Sequence, residues 1–592
     1  MSRPSAPAAP AELLARAGLV EPPQPVGALR LVIAGTADLH GHVRGWDYYR
    51  DVPDRRVGLS RVATLVSALR AHYGSDRVVL LDAGDTVQGS PLTWYAATGE
   101  LPGPHPMATA MRELGYTAAA LGNHDVEYGF DLLDRFAGGV DFPVLGANST
   151  GPHALAGSLT IERSVAGFPP IRVGVVGLTN PGIAVWTKDV VAGRLEIGDI
   201  VAAGQAAVDE LAGADVVVAT VHAGTCPFSS YGDALPWLEN AAVPLAEQVP
   251  AIDAVLAGHA HADIDEIRVP RRGAPDAVVT EPGCFGRRLS VMHLDLVPGR
   301  DGWQLVSTHA QLLDASVAGE DPAVVAAVRS AHEQTRRQLG EVLGAADRPL
   351  DLADAPWRAN AGLELIAQVI GAEALPHLPA PSTGAPRTGV VAVVSPLRRQ
   401  TRWAAGPIRA RDLAALYRFD NRLAAVELTG AQLRDYLEWS ARYFRPARPG
   451  EAALTPERLL RNPVPDAPSG LPDYDYDVAI GVDGPLGYDV DCARPIGDRV
   501  RDLRFRSAPV RPDDRFEVIV TGYRANGSRN YPHVATAPVH WRSERFVRAM
   551  LHDHVRRTGL VRLANPTGPG WRLTVDGVPV AGTVTASSPA AP

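Results

Sequence analysis

Apolar residues in the first half of the chain gather into short, β-branched runs at Leu31–Ala34, Val78–Leu81, Ile171–Val176, Val216–Val221 and Ala254–Ala257. Each run is followed by a polar loop containing Gly, His or Asp. Runs this short, apolar on successive positions, predict strands buried on both faces. Between them the helical spacing of Leu59–His72, Pro106–Leu114 and Ile200–Leu211 predicts three helices. Strands alternating with helices predict a layered α/β domain. From Glu320 to Leu343 a helix-forming composition with an acidic start ends at Gly344, which predicts one linker helix. Mixed α/β patterning then returns, with Val390–Val394 and Ala424–Leu428 strand-like and Ala410–Tyr417 and Ala431–Tyr443 helix-like. The Pro-rich stretch Pro446–Asp473 reads as a loop, and no internal repeat is present.

Length then fixes the scale. The 592 residues exceed one ordinary core, so at least two domains are expected. The boundaries read as a tail over 1–27, a first domain over 28–315, the linker helix over 316–345, a second domain over 346–573 and a tail over 574–592. With 46% hydrophobic residues the chain is globular. A formal charge of −9 argues against binding nucleic acid polymers or anionic membranes, which require a cationic surface. Any anionic ligand must therefore be held by local charge. Cys226, Cys284 and Cys492 are far apart and lack CxxC spacing, so neither a disulfide framework nor a thiolate zinc site is suggested. The Ala- and Pro-rich start does not read as a secretory signal, and no stretch reaches about 18 apolar residues without charge. A soluble cytoplasmic protein without membrane attachment is the expectation.

The loops after the strands carry Asp38-Leu39-His40-Gly41-His42, Gly84-Asp85-Thr86-Val87-Gln88-Gly89, Gly122-Asn123-His124-Asp125, His222-Ala223-Gly224 and Gly258-His259-Ala260-His261. Imidazole and carboxylate are ligands for divalent Mn, Zn or Fe. A single His in a loop is usually a surface or capping residue. Five such loops at strand ends, where α/β sheets place their sites, point to one metal centre.

In this order the motifs Asp-x-His, Gly-Asp, Gly-Asn-His-Asp, His-x-Gly and Gly-His-x-His resemble the calcineurin-like metallophosphoesterases, and the second half together with Gln88-Gly89-Ser90 resembles their 5′-nucleotidase family. Asp47-Tyr48-Tyr49-Arg50-Asp51, Gly58-Leu59, Arg61 and Tyr128-Gly129 resemble its bacterial 2′,3′-cyclic-nucleotide 2′-phosphodiesterase/3′-nucleotidase branch. The resemblance spans about residues 29–573. It implies a four-layer αββα sandwich, the linker helix and a second α/β domain for substrate binding.

It also implies roles. Asp38, His40 and His261 would hold one divalent ion, Asn123, His222 and His259 another, and Asp85 both. Two such ions turn a bridging water into hydroxide at neutral pH and stabilise charge on a phosphoryl centre. His42 is outside this set. His124 would stabilise a phosphoryl oxygen or protonate the departing alkoxide, oriented by either Asp125 or Glu127. Phe419 and Tyr531 match the family's two base-stacking aromatics, and Arg398 and Arg524 are candidates for phosphate or ribose contacts. The expected substrate is a small nucleotide, a 2′,3′-cyclic or 3′-phosphoester. Alternatives are a 5′-nucleotidase, a nucleoside-diphosphate-sugar hydrolase, or an inactive nucleotide-binding protein. The last would be expected to have a broken ligand set, and every expected ligand is present.

Overall fold

The computed structural model describes residues 9–226, 228–300, 302–379, 387–448, 451, 459, 462–463, 471–563 and 570–580. It separates into two units, Met1–Arg337 and Gln338–Pro592.

The first unit is a pair of six-stranded sheets. One contains β1 (Leu29–Thr36), β2 (Val78–Asp82), β3 (Ala118–Ala120) and β4 (Val144–Leu145). The other contains β5 (Ser158–Arg163), β6 (Ile171–Leu178), β7 (Val216–Val221), β8 (Ala254–Ala257), β9 (Asp263–Val269) and β10 (Ala277–Pro282). β11 (Arg288–Pro298) and β12 (Trp303–Asp314) complete the first sheet, giving orders β12-β11-β1-β2-β3-β4 and β9-β10-β8-β7-β6-β5. Within each, the consecutive strands β1 to β4, and β6, β7, β8 and β10, run parallel. Their loops therefore emerge at one end of each sheet.

Leu31, Ile33, Val79 and Leu81 of one sheet pack against Val173, Val175, Val218 and Leu256 of the other, all essentially without exposure. On its outer face the second sheet buries Val176, Val217 and Ala219 against Ile200, Ala207, Ala242 and Leu245 of the helices Ile200–Glu210 and Ala242–Gln248. The helix Leu59–Tyr73 contacts β2 and β11 of the first sheet and, beside it, the helix Pro106–Leu114, making the αββα sandwich that the motifs imply. Burying a Val, Leu or Ile is worth about 1.5–3 kcal/mol, so apolar positions on both faces hold these strands in the middle of the sandwich.

Three boundaries differ from the sequence expectation. Within the presumed tail, Pro10–Arg16 is a helix that buries Leu14 and contacts the helix Leu59–Tyr73, with Pro10 opening its first turn. The single linker helix is two, Pro322–Ala327 and Arg329–Gly340, broken at Val328. Both have partners within the first unit. Pro322–Ala327 contacts the helices Pro106–Leu114 and Leu59–Tyr73. From the other helix, His332 Nδ1 lies 2.8 Å from Tyr48 Oη, Arg336 pairs with Asp51 at 2.7 Å, and Arg336 lies over the Trp46 ring at 4.4 Å. Residues 342–346 of the same segment are a strand, Val342–Ala346. At the other end, Thr574 and Val575 pair with Val578 and Pro579, so ordered structure continues into the presumed tail. Most of 446–473, with 1–8 and 581–592, lies outside the described residues.

In the second unit, β13 (Gly389–Val394), β14 (Leu423–Thr429), β15 (Val478–Gly481), β16 (Arg515–Thr521) and β17 (Val539–Arg542) form a sheet of order β15-β13-β16-β14-β17. The helices Ala361–Ala374, Ala410–Leu416, Gly430–Ala441 and Val547–Thr558 share one apolar core with it.

Candidate active site

The loops after β1, β2, β3, β7 and β8 meet where the two sheets' parallel ends adjoin. The sheets are tied there: Thr220 Oγ1 donates to Asp82 O at 2.8 Å, and His222 Nδ1 lies 2.7 Å from Ala83 O. Asp38, His40, Asp85, His259 and His261 all adopt left-handed backbone, with φ of 51°, 46°, 58°, 79° and 56°. Such φ values are uncommon for any residue but Gly and gather where function requires them. The turns swing these side chains inward at the strand ends. Gly122 allows the closest approach, since a Cβ there would lie 2.0 Å from the Asp85 nitrogen.

All seven candidate ligands come together. Asp38, His40 and His261 form one potential cation-holding group, and Asp38, Asp85 and His222 form another. Asn123 Oδ1 lies 2.9 Å from both His222 Nε2 and His259 Nδ1. His40 Nε2 and His261 Nε2 are 3.1 Å apart.

The outer ring nitrogens decide what these contacts mean. His40 Nδ1 faces Gln88 O at 3.0 Å, His222 Nδ1 faces Ala83 O, and His259 Nε2 faces Glu239 Oε1 at 2.9 Å. Each partner can only accept, so the outer nitrogen carries the hydrogen and a neutral ring turns its lone pair inward. Lone pairs and carboxylate oxygens then converge on one another, an arrangement that a cation satisfies. The residues fit divalent ions of the imidazole- and carboxylate-binding class.

Charge interactions agree. Burial opposes ionisation of Asp85, but His222, then His124 and His40, hold its carboxyl well below the usual range. Burial pushes His40 down to about 3, leaving it neutral. With no cation bound, Asp85 outweighs burial at His222 and holds it up to about 9, so a proton occupies the inward nitrogen that a cation would displace. The buried carboxylates thus draw positive charge into the centre.

His124 stands beside this group. Its Nε2 is 4.0 Å from Asp85 Oδ2, and its Nδ1 is 2.7 Å from Glu127 Oε1. Burial disfavours the imidazolium, but Glu127 and then Asp85 raise its pKa to about 10. Of the two candidate orienting acids, Glu127 is therefore the partner. Asp125 is corrected from that role. It is buried and accepts backbone N–H groups from Asp85, Thr86, Val87 and Gly122 at 2.8–3.0 Å, clamping two loops together. His42 packs on Phe285 with ring centroids 4.3 Å apart, outside the converging set.

The second unit departs further from expectation. Phe419 is 39% exposed, as a stacking residue must be. Tyr531 is buried, however: its hydroxyl donates to Asp475 O at 2.6 Å and its ring lies 4.5 Å from Tyr436 and 4.3 Å from Arg524 Cζ. The exposed aromatic near Phe419 is Tyr474, with ring centroids 6.2 Å apart. Arg524 is likewise buried, its Nε on Asp477 at 2.8 Å and its Nη2 on Tyr474 O. It holds the loop rather than offering a free guanidinium. Arg398 is half-buried beside Leu397, which lines a small cavity with Ser395, Tyr417, Asn421, Asp477 and Arg524.

Sequence reasoning missed Glu239 and Trp186. Trp186 stacks on His259 with centroids 5.4 Å apart and planes at 19°. Neither residue belongs to a strand-end loop motif, and only the fold brings them to His259.

A two-sheet sandwich with His, Asp and Asn converging at its loop end defines a metal-dependent phosphoesterase. Residues 31–263 match the calcineurin-like phosphoesterase family and residues 342–536 the 5′-nucleotidase C-terminal domain. The chain is 30% identical over 552 residues to the 2′,3′-cyclic-nucleotide 2′-phosphodiesterase/3′-nucleotidase of Salmonella typhimurium, covering 84% of this chain and 82% of that protein. It is 27% identical over 580 residues to the trifunctional nucleotide phosphoesterase YfkN of Bacillus subtilis, covering 89% of this chain but 38% of that longer protein. The fold matches the crystal structure of a 5′-nucleotidase precursor from Thermus thermophilus, with a TM-score of 0.60 and 19% identity over 92% of this chain and 99% of that one. The chain belongs to the 5′-nucleotidase family of calcineurin-like phosphoesterases.

Proposed function

We propose that the protein opens 2′,3′-cyclic nucleotides and removes the phosphate of 3′-nucleotides, using two divalent cations. The observation that carries this reading is the convergence of acceptor atoms from five strand-end loops beside a histidine held by its own carboxylate. The substrate class follows the activity for which the Salmonella relative is named, the two chains aligning over most of their lengths. Asp38, His40 and His261 would hold one cation, Asn123, His222 and His259 the other, and Asp85 would serve both. When bound, the cations supply Lewis acidity toward the phosphoryl oxygens and a water nucleophile at neutral pH.

The protein's own groups do the rest. Glu127 accepts from His124 Nδ1–H and fixes the ring, so Nε2–H is presented on the side facing Asp85. From there it donates to the departing ribose oxygen, neutralising the alkoxide as the P–O bond breaks. Asp125 keeps the Asp85 and Asn123 loops in register. In the second unit Phe419 offers a base-stacking face. An assay of 2′,3′-cyclic, 3′- and 5′-nucleotides side by side with defined metals tests the reading. Turnover of the first two classes is expected to dominate, and dominance of 5′-nucleotides would overturn it.

A further inference from the structure

Glu239 is 4% exposed and sits in no strand-end motif, yet its Oε1 lies 2.9 Å from His259 Nε2. It is itself fixed. Its carboxylate accepts from Ser230 N and, at 3.2 Å, from Ser230 Oγ, while its carbonyl accepts from Asn180 Nδ2 at 3.2 Å. The neighbouring Asn240 accepts from Gly224 N at 2.9 Å and donates to Phe228 O at 2.5 Å, closing the segment between β7 and the helix Ala242–Gln248 onto the His222 loop. A buried carboxylate this firmly held is a fixed acceptor.

Its effect is on a ring with two possible neutral tautomers. An Nε2 hydrogen satisfies Glu239 and leaves the lone pair on Nδ1, which faces Asn123 Oδ1 at 2.9 Å. The opposite tautomer would set an Nε2 lone pair against the buried carboxylate, a contact without a hydrogen. Trp186 stacks on the ring face and the backbone at His259 is left-handed, so rotation is limited as well.

We propose that Glu239 is a positioning residue that locks His259 as the Nε2–H tautomer, aims Nδ1 into the centre and so sets how tightly the centre holds a divalent cation. The proposal rests on the reading of His259 as a cation ligand. Carboxylates in this position commonly change metal affinity by about 10- to 100-fold when removed.

The test uses the full chain stripped of metal and titrated with Mn²⁺ against a competing chelator. Glu239→Ala is expected to weaken Mn²⁺ binding about 10- to 100-fold. Glu239→Gln keeps an oxygen acceptor but loses the charge and opposes an amide to Ser230 N–H, so a smaller weakening of about 3- to 10-fold is expected. Independently of any cation, ¹⁵N spectra of the metal-free protein, at a pH where the ring is neutral, should show His259 as Nε2–H in the wild type and a tautomer mixture in Glu239→Ala. Wild-type Mn²⁺ affinity in both folded variants, or an Nδ1–H ring in the wild type, overturns the proposal. If the Ala variant does not fold, the Gln variant decides by the same two readouts. Asp85→Ala runs in parallel. Should it bind Mn²⁺ as well as the wild type, the reading of the centre fails; should it lose binding while both Glu239 variants keep it, only the role of Glu239 fails.

Discussion

Both units bury charged side chains, but one cluster in each closes its charges in the opposite way from the other. In the strand-end loops of the first, Asp38, Asp85, His40, His222, His259 and the more exposed His261 bring carboxylate oxygens and ring nitrogens together, a set that a cation completes better than any side chain could. In the second, Arg524 meets Asp477 and Arg529 meets Asp475, and these pairs complete themselves. A buried ion pair of the second kind contributes little net stability compared with apolar packing, but it is costly to break. The contrast distinguishes a centre built to receive a cation from a scaffold built to hold a loop, although both contain charged and aromatic residues in glycine-bearing loops.

The strongest way to break this comparison is at Asp85. If the first unit is an incomplete set of ligands, Asp85→Ala removes a carboxylate proposed to serve both halves of it. Turnover should fall by at least about 10³-fold and divalent metal content should drop. Elemental analysis decides it, and full metal content in the variant would place Asp85 outside the centre. His124 sharpens the comparison from the other side, as a residue of the site that is not a ligand. His124→Ala should cut turnover about 10²–10⁴-fold with metals retained. The deficit should be larger for a nucleotide, with its poor alkoxide leaving group, than for an activated aryl phosphate. Equal deficits would remove the proton-donating role.

The second unit is tested by unequal effects of two aromatics that look alike in sequence. Phe419→Ala should lower kcat/KM for nucleotides about 5- to 150-fold, the loss of 1–3 kcal/mol of stacking, without changing hydrolysis of a phosphoester lacking a base. Tyr531→Phe deletes the bond to Asp475 O and should cost about 0.5–1.5 kcal/mol in thermal unfolding, with kcat/KM unchanged. A kinetic effect at Tyr531 equal to that at Phe419 would restore both as stacking residues.

How far each unit was legible follows from the same physics. Strands such as Val216–Val221 and Ala254–Ala257 have the bounds that their apolar runs predict, because both faces are buried and the run ends where the chain leaves the sandwich. Ligands at strand ends were legible because topology gathers strand-end loops. Tyr531 was not, since an aromatic in a polar loop reads alike whether its ring faces solvent or, as here, packs on Tyr436 under Arg524. Asp125 looked like a neighbour able to orient His124, but backbone geometry turns it toward four N–H groups instead. Glu239 is 20 residues before His259, and only packing makes the two adjacent. The break at Val328 is equally tertiary: the partners Tyr48 and Asp51 are remote in sequence from the helix they hold.

The last expected effect concerns where the first unit ends. The segment expected to be a bare linker begins at Glu320, which accepts from Arg44 Nε at 2.8 Å, Gly45 N at 3.0 Å and Ser60 Oγ at 2.8 Å. Burial alone would raise its pKa, but the bond from Arg44, followed by those from Gly45 and Ser60, lowers it from 4.5 to about 2. A carboxyl depressed in the folded state adds stability above its unfolded pKa, and that stability is lost as pH falls through the folded value. Allowing for solvent screening of a partly exposed pair, the contribution is about 1–2 kcal/mol at pH 7. Glu320→Gln should therefore unfold more easily at pH 7, and its deficit should shrink as pH drops from 4.5 toward about 2. Denaturant unfolding of both proteins across that range measures it. A deficit independent of pH would mean that Glu320 acts through its shape or its neutral hydrogen bonds, and the start of the segment would then be joined to the first unit by packing rather than by charge.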